Sequence, residues 1–186
     1  IPLSSVALLT HAEDERNMGL RSIAKLCGIA ICDAPARSRE ALQWVSAFAP
    51  DGILSLHYRN LIPNEMIAMC CHGGINLHPS LLPKYRGTNS VAWAIINGEQ
   101  TTGFSFHLLS DSFDTGDLIF QESISIDAFD TAFSLFHKQI SRAMSVLEDV
   151  LSTWLSGNCG WKQVGDGTYY PRKLPFDGII DRTWEL

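Results

Sequence analysis

The chain has 186 residues, 46% apolar and 18% charged, enough to bury a sizeable core as one globular domain. Its net charge is -6 and its isoelectric point about 5.4, and its fourteen Lys and Arg are scattered, so the basic surface that nucleic-acid partners need is missing. No apolar run reaches the ~18 residues of a membrane span and no basic segment leads a short apolar core, so a cytoplasmic protein without a membrane partner is expected.

The run SVALL (5–9) reads as a short buried strand, and LRSIAKLC, closed by Gly28, as the helix that follows it. IAIC (29–32) is a second strand. SREALQWVSAFAP is a helix with Ser38 at its N-cap and Pro50 beyond its end, and GILSLHY (52–58) is a third strand. This alternation predicts a Rossmann-like α/β fold, with a mostly parallel, doubly wound sheet and helices on both faces. PNEMIAMC is a short helix with Pro63 near its first turn, and GGINLH (73–78) is a fourth strand. SVAWAIING is helical, while TGFSFHLL and DLIFQESISI are adjacent strands around the turn SDSFDTG. From Thr131 to Ser156 one long amphipathic helix is expected, with Phe133, Phe136, Ile140, Met144, Leu147, Leu151 and Trp154 inward. Gly, Pro and aromatic residues then interrupt the pattern. The expected organisation is a catalytic domain over 1–156 and an extended segment, 157–186, packed on it.

Five cysteines (Cys27, Cys32, Cys70, Cys71, Cys159) show no C-x-x-C spacing, and His72 completes no zinc set, so reduced thiols and no metal are expected. The chemistry concentrates elsewhere. In INLHPSLLPKYRG (75–87), Asn76 and His78 share one face at the end of a strand, where open α/β sheets place ligands. An amide and an imidazole there can offer a donor to a developing oxyanion and a carrier for a proton, as acyl transfer requires. An isolated N-x-H would otherwise be a turn cap and a packed histidine. SDSFDTGD (110–117) brings Asp111, Asp114 and Asp117 at steps of three, too sparse for a calcium loop and otherwise an ordinary turn. If Asp114 reaches His78, it favours the imidazolium and fixes the tautomer. The glycines of GGINLH precede their strand, which argues against a dinucleotide cradle, and no G-x-S-x-G elbow supports a covalent acyl-enzyme.

INLHPSLLPKYRG, followed by WAIINGE, TGFSFHLLSDSFDTGDLIFQ and YYPRKLPFDG, resembles the formyltransferases that use 10-formyltetrahydrofolate, over essentially the whole chain. The resemblance implies the cosubstrate 10-formyltetrahydrofolate and no metal. It implies that Asn76 stabilises the oxyanion, that His78 is the general acid/base, and that Asp114 supports it. It places folate contacts, largely through the backbone, on Asn60, Leu61 and Ile62 and on Ser110, Asp111, Ser112 and Phe113, with SLLP (80–83) shaping the cleft. His107, on the strand before this loop, is open to two readings, a supporting partner or a packed histidine.

Members of the family open with a strand and a helix before the equivalent of SVALL. That unit of about 25 residues is missing here, and with Ile in first place the chain is expected to belong to a longer one. THAEDE and SLHYRNLIP most resemble members that formylate nucleotide-linked amino sugars, which implies a small-molecule amine acceptor. Lys84 and Arg86 are then candidates to meet its phosphates. In one such subgroup a substrate-contacting basic residue would fall at Thr88, which argues against that subgroup's sugar. Formylation of methionyl-tRNA, in a longer chain, hydrolysis of formyltetrahydrofolate, formylation of a carrier-bound amine and a non-catalytic folate-binding module are the alternatives. The oligomeric state stays open, a homodimer included.

Overall fold

The computed structural model describes residues 5–12 and 18–171. These form two compact units, the first taking in the chain to Asn76 together with Leu108–Ser112, the second Leu77–His107 and the chain from Phe113.

In the first unit β1 (Ala7–Leu9) and β2 (Ala30–Cys32) pair in parallel, with Ala7 opposite Ala30, and α1 (Met18–Leu26) lies between them in sequence. The helix stops at Gly28, whose φ of 68° reverses the chain into β2. Helix α2 (Arg39–Phe48) starts where Ser38 accepts the Ala41 N–H, and it ends with Ala49 in the left-handed conformation. Strand β3 (Ile53–Leu56) and helix α3 (Asn64–Ile67) follow, the latter with Pro63 as its N-cap residue. Cys32, Ala41, Val45, Ile62 and Met66 are buried together, with Leu9, Leu42 and Ile53 packed around them. Strand β4 (Gly74–His78) enters this unit beside Ile53 and Leu109, so close that a Cβ on Gly74 would meet the Ile53 carbonyl oxygen at 3.1 Å. A side chain at this position would crowd β3 and displace Leu109, so glycine suits the root of the strand that carries His78.

The second unit holds the end of β4, then β5 (Arg86–Gly87), α4 (Ser90–Ile96), β6 (Thr101–Leu108), β7 (Leu118–Ser125), α5 (Ala132–Ser145), α6 (Leu147–Leu155) and β8 (Tyr169–Tyr170). Strands β6 and β7 pair antiparallel, with a register shift between Phe106 and His107. The four-stranded sheet runs β3-β4-β6-β7, and β1 with β2, and β5 with β8, make two-stranded sheets. The α/β class read from the sequence is the fold observed. No helix among the described residues is long and apolar enough to cross a membrane.

Two expectations change. The long helix is two helices, broken at Val146 (φ -108°, ψ 0°). Its inward face is also shifted in part: Trp154 is buried as expected and Phe136, Ile140, Leu147 and Leu151 are half-buried, but Leu135, Gln139, Ala143 and Val150 are buried as well, whereas Phe133 is 75% and Met144 40% exposed. The reason is polar. Gln139 is fully buried because its amide donates to the Gly103 carbonyl at 2.6 Å and to the Pro79 carbonyl at 3.3 Å, and this pins the helix in a register that hydropathy alone does not favour. Gln139→Leu, which keeps the volume and removes the donors, should destabilise the protein by roughly 1–3 kcal/mol in urea unfolding. An unchanged midpoint would show that apolar packing sets the helix register.

Candidate active site

His78 ends β4 and is only 5% exposed. Its Nε2 lies 2.7 Å from the Tyr85 carbonyl, which can only accept, so this nitrogen donates. Its Nδ1 lies 3.4 Å from Asp114 Oδ1. Asp114 sits in the turn between β6 and β7 with φ 57°, a left-handed conformation that costs a residue other than glycine of order 1–3 kcal/mol. Its second oxygen, Oδ2, accepts the Gly87 N–H at 2.8 Å. His107 Nε2 stands 3.5 Å from the same Oδ1 that faces His78. The register shift at Phe106 and His107 falls where a β-bulge re-aims a side chain, and it accompanies this placement.

A carboxylate this deep is disfavoured as an anion unless its neighbours answer it. Burial pushes the Asp114 carboxyl up, but the hydrogen bond from His107, the charge of His78 and the Gly87 N–H outweigh it, leaving the group below its ordinary value of 3.8. The result is an ionised carboxylate held against an imidazole, able to orient that ring and to steady positive charge on it during proton transfer.

The loop after His78 is fixed by side chains from neighbouring elements. Ser80 donates to the Lys84 carbonyl at 2.7 Å, and Ser105 donates to the Ser80 carbonyl at 2.7 Å while accepting the Leu82 N–H at 3.2 Å. Gln121 donates to the Leu82 carbonyl at 2.9 Å, and Ser90 to the Pro79 carbonyl at 3.0 Å. Residues 79–84 are thereby held through their main chain. The second arm is tied to the segment after α6: Gln163 donates to the Asp114 and Gly116 carbonyls at 2.9 and 2.8 Å and accepts from Arg86 at 2.6 Å.

The structure thus brings His78 and Asp114 together, as the sequence suggested, and sets the buried His107 against the same carboxylate. Asn76, half-buried, lies two residues earlier on β4 and ends the first stretch of the first unit. The folate candidates Asn60, Leu61, Ile62, Ser110, Asp111 and Ser112 also belong to the first unit, and Phe113 begins the second stretch of the other. Ile62 is buried at 6% in the first core, Asn60, Asp111 and Ser112 are exposed, and Phe113 is 45% exposed. Lys84 has a side chain 62% exposed, with Glu99 3.6 Å from its Nζ, Arg86 is engaged by Gln163, and the Thr88 N–H donates to the Tyr170 carbonyl at 3.1 Å. The sequence reading missed Tyr85, Gln163, Ser105 and Gln121. The carbonyl of Tyr85 carries no side-chain signal, and glutamine or serine in a strand or coil looks like surface. Residues 172–178 of YYPRKLPFDG and residues 13–15 of the THAEDE stretch lie outside the described residues.

A model of the formyl transferase family matches residues 21–151. The GDP-perosamine N-formyltransferases of Brucella melitensis biotype 1 and of Brucella abortus (strain 2308) are each 50% identical over 184 residues, 99% of this chain and 71% of theirs. The chain belongs to the formyl transferase family. Among solved structures, a sugar N-formyltransferase from Shewanella sp FDAARGOS_354 matches with a TM-score of 0.74 over 94% of this chain and 70% of its own, at 23% identity. Phosphoribosylglycinamide formyltransferase from Bacillus halodurans matches at 0.72 over 82% of this chain and 81% of its own, at 24% identity. At these identities the two structures support the formyl transferase fold, and the motif resemblance in the sequence leads to the same family.

The depressed Asp114 carboxyl gives a stability signature with a defined sign. A carboxyl held below its unfolded value contributes stability above that value, near 3.9, and loses it as pH falls through the folded value. Asp114→Asn should therefore be destabilised at neutral pH by roughly 1.5–3 kcal/mol, and the deficit should shrink below about pH 4. Thermal or urea unfolding from pH 7 to 3 measures this. A deficit independent of pH would mean that the charge at Asp114 contributes nothing.

Proposed function

We propose that the protein is an N-formyltransferase that moves a formyl group from 10-formyltetrahydrofolate to the primary amine of a nucleotide-linked amino sugar. The observation that carries this reading is the buried Asp114 carboxylate set against His78. It occurs in a chain 50% identical to relatives named for formylation of GDP-perosamine.

The formyl donor supplies an activated one-carbon unit, and the residues on the chain divide the remaining work. Asn76 donates its amide N–H to the formyl oxygen as negative charge develops there. The amine adds to the formyl carbon, and the tetrahedral intermediate collapses by breaking the bond to the folate nitrogen. His78, whose Nε2 carries a proton in this structure, gives it to that departing nitrogen and is reprotonated by the ammonium that the amine has become. Asp114 holds the ring and balances its positive charge. The segments proposed to receive the folate fit a ring bound by main-chain groups: Ile62 turns its side chain into the first core while Asn60 remains exposed, and Ser110 donates to the Ser112 carbonyl at 3.0 Å within its own loop. For the acceptor, Lys84 is the more accessible cation to meet a diphosphate: its side chain is 62% exposed and its contact with Glu99 is a long 3.6 Å, whereas Arg86 donates to Gln163 at 2.6 Å.

Asn76→Ala should lower kcat roughly a hundred- to a thousandfold, the usual effect of losing one oxyanion donor. The assay follows tetrahydrofolate release with 10-formyltetrahydrofolate and a panel of nucleotide-linked amino sugars, amino acids and charged tRNA. Unchanged turnover in Asn76→Ala removes that residue from its role. Release that needs no amine favours a hydrolase, and release with tRNA alone overturns the sugar acceptor.

A further inference from the structure

Two residues that meet His78 share an unusual backbone state. Tyr85, whose carbonyl accepts from His78 Nε2, has φ 59°, and Asp114, whose Oδ1 faces His78 Nδ1, has φ 57°. Neither is glycine, so each conformation persists only where surrounding bonds over-determine it. In both cases one stretch of chain after α6 supplies backbone-directed bonds. The Tyr85 N–H donates to Thr168 Oγ1 at 2.8 Å, while the Gln163 amide donates to the Asp114 carbonyl at 2.9 Å and to the Gly116 carbonyl at 2.8 Å. The main chain of the stretch adds to the grip. The Arg86 N–H donates to the Thr168 carbonyl at 2.9 Å, the Thr168 N–H donates to the Pro83 carbonyl at 3.2 Å, and Gln163 Oε1 accepts from Arg86 at 2.6 Å.

We infer that Gln163 and Thr168 are positioning residues for formyl transfer: they touch neither donor nor acceptor, and they hold the two groups that orient the His78 ring. The segment that reads in the sequence as an extended piece packed on the domain is then part of the device that sets proton transfer. Its effect falls on kcat, because the ring must be aligned when the proton moves, and not on the binding of either substrate. The kinetic consequence rests on the formyltransferase reading, whereas the effect on the ring does not.

The test uses Gln163→Glu, Thr168→Val and the conservative Thr168→Ser in the full chain. Gln163→Glu keeps an acceptor for Arg86 but replaces the two donors that hold Asp114 and Gly116. Thr168→Val removes only the acceptor, and Thr168→Ser retains it. Gln163→Glu and Thr168→Val should each lower kcat roughly ten- to a hundredfold with KM for donor and acceptor unchanged, and Thr168→Ser should restore most of the loss. In protein labelled with 15N-histidine, the His78 ring signals should shift in the two impaired variants and return in Thr168→Ser. Unchanged ring signals with unchanged kcat overturns the inference, as does a change confined to KM, or Thr168→Ser as impaired as Thr168→Val. If the unaltered protein transfers no formyl group, the functional reading fails, and the ring signals still decide the role of Gln163 and Thr168.

Discussion

A carboxylate buried to 8% exposure must be met on both oxygens, and most of the second unit is arranged to do that for Asp114. Oδ2 needs the Gly87 N–H, which requires β5 to run where β8 holds it in parallel register, Arg86 opposite Tyr169 and Gly87 opposite Tyr170. The close approach explains the residue type: a Cβ on Gly87 would run into the Tyr170 carbonyl. Oδ1 needs the imidazoles, one from the end of β4 and one from the register shift in β6. Moving any of these elements by an ångström leaves an uncompensated buried charge, which costs several kcal/mol. The same constraint that makes the site expensive to misplace makes it well defined for proton transfer.

The buried polar groups beside this carboxylate act in the same direction. Ser80, Ser105 and Gln139 are fully buried, and each places a hydrogen bond on a loop or strand main-chain group. An apolar core of similar volume could match their contribution to stability, but it would not specify where the loop 79–84 runs. Main-chain carbonyls give no side-chain identity for evolution to alter, so side-chain donors from several elements are the available way of fixing such a loop. The hydrogen bonds of Gln121 to the Leu82 carbonyl and to Ser105 Oγ, both at 2.9 Å, join β7 to the same network.

How far the sequence revealed this architecture follows from which signals are local. Ser38 as N-cap and the strands holding Ala7–Leu9, Ala30–Cys32, Ile53–Leu56 and Gly74–His78 could be read from composition and spacing, because caps and apolar runs act within a few residues. A carboxylate partner for His78 could be proposed because their chemistry is complementary, and the family resemblance pointed to Asp114 among Asp111, Asp114 and Asp117, although the contact spans the chain between them. Gln139 could not be read as a core residue: its polarity argues for surface until the Gly103 and Pro79 carbonyls are known to face it. The break at Val146 was hidden for a similar reason, since no Gly or Pro marks it. Tyr85, Gln163 and Thr168 act through hydrogen bonds that bring distant segments together, and a pattern along the chain does not record such pairings.

The left-handed residues make a related distinction. Ala49 adopts φ 49° as the cap of α2, with its N–H bonded to the Val45 carbonyl, an ordinary helix ending that any chain can place almost anywhere. Tyr85 and Asp114 have no such local motive. Substituting glycine would relieve each conformation, but at Asp114 it would delete the carboxylate, and at Tyr85 it would delete a ring that stacks on Tyr170 with centroids 5.1 Å apart and whose hydroxyl donates to Glu99 at 2.8 Å. Strain of order 1–3 kcal/mol at each position is therefore retained because the residue does two jobs, one through its side chain and one through its backbone. At Tyr85 the side chain anchors β5 while the carbonyl meets His78. At Asp114 the carboxylate meets His78 while the backbone carbonyl is held by Gln163, so fold and proton transfer draw on the same two residues.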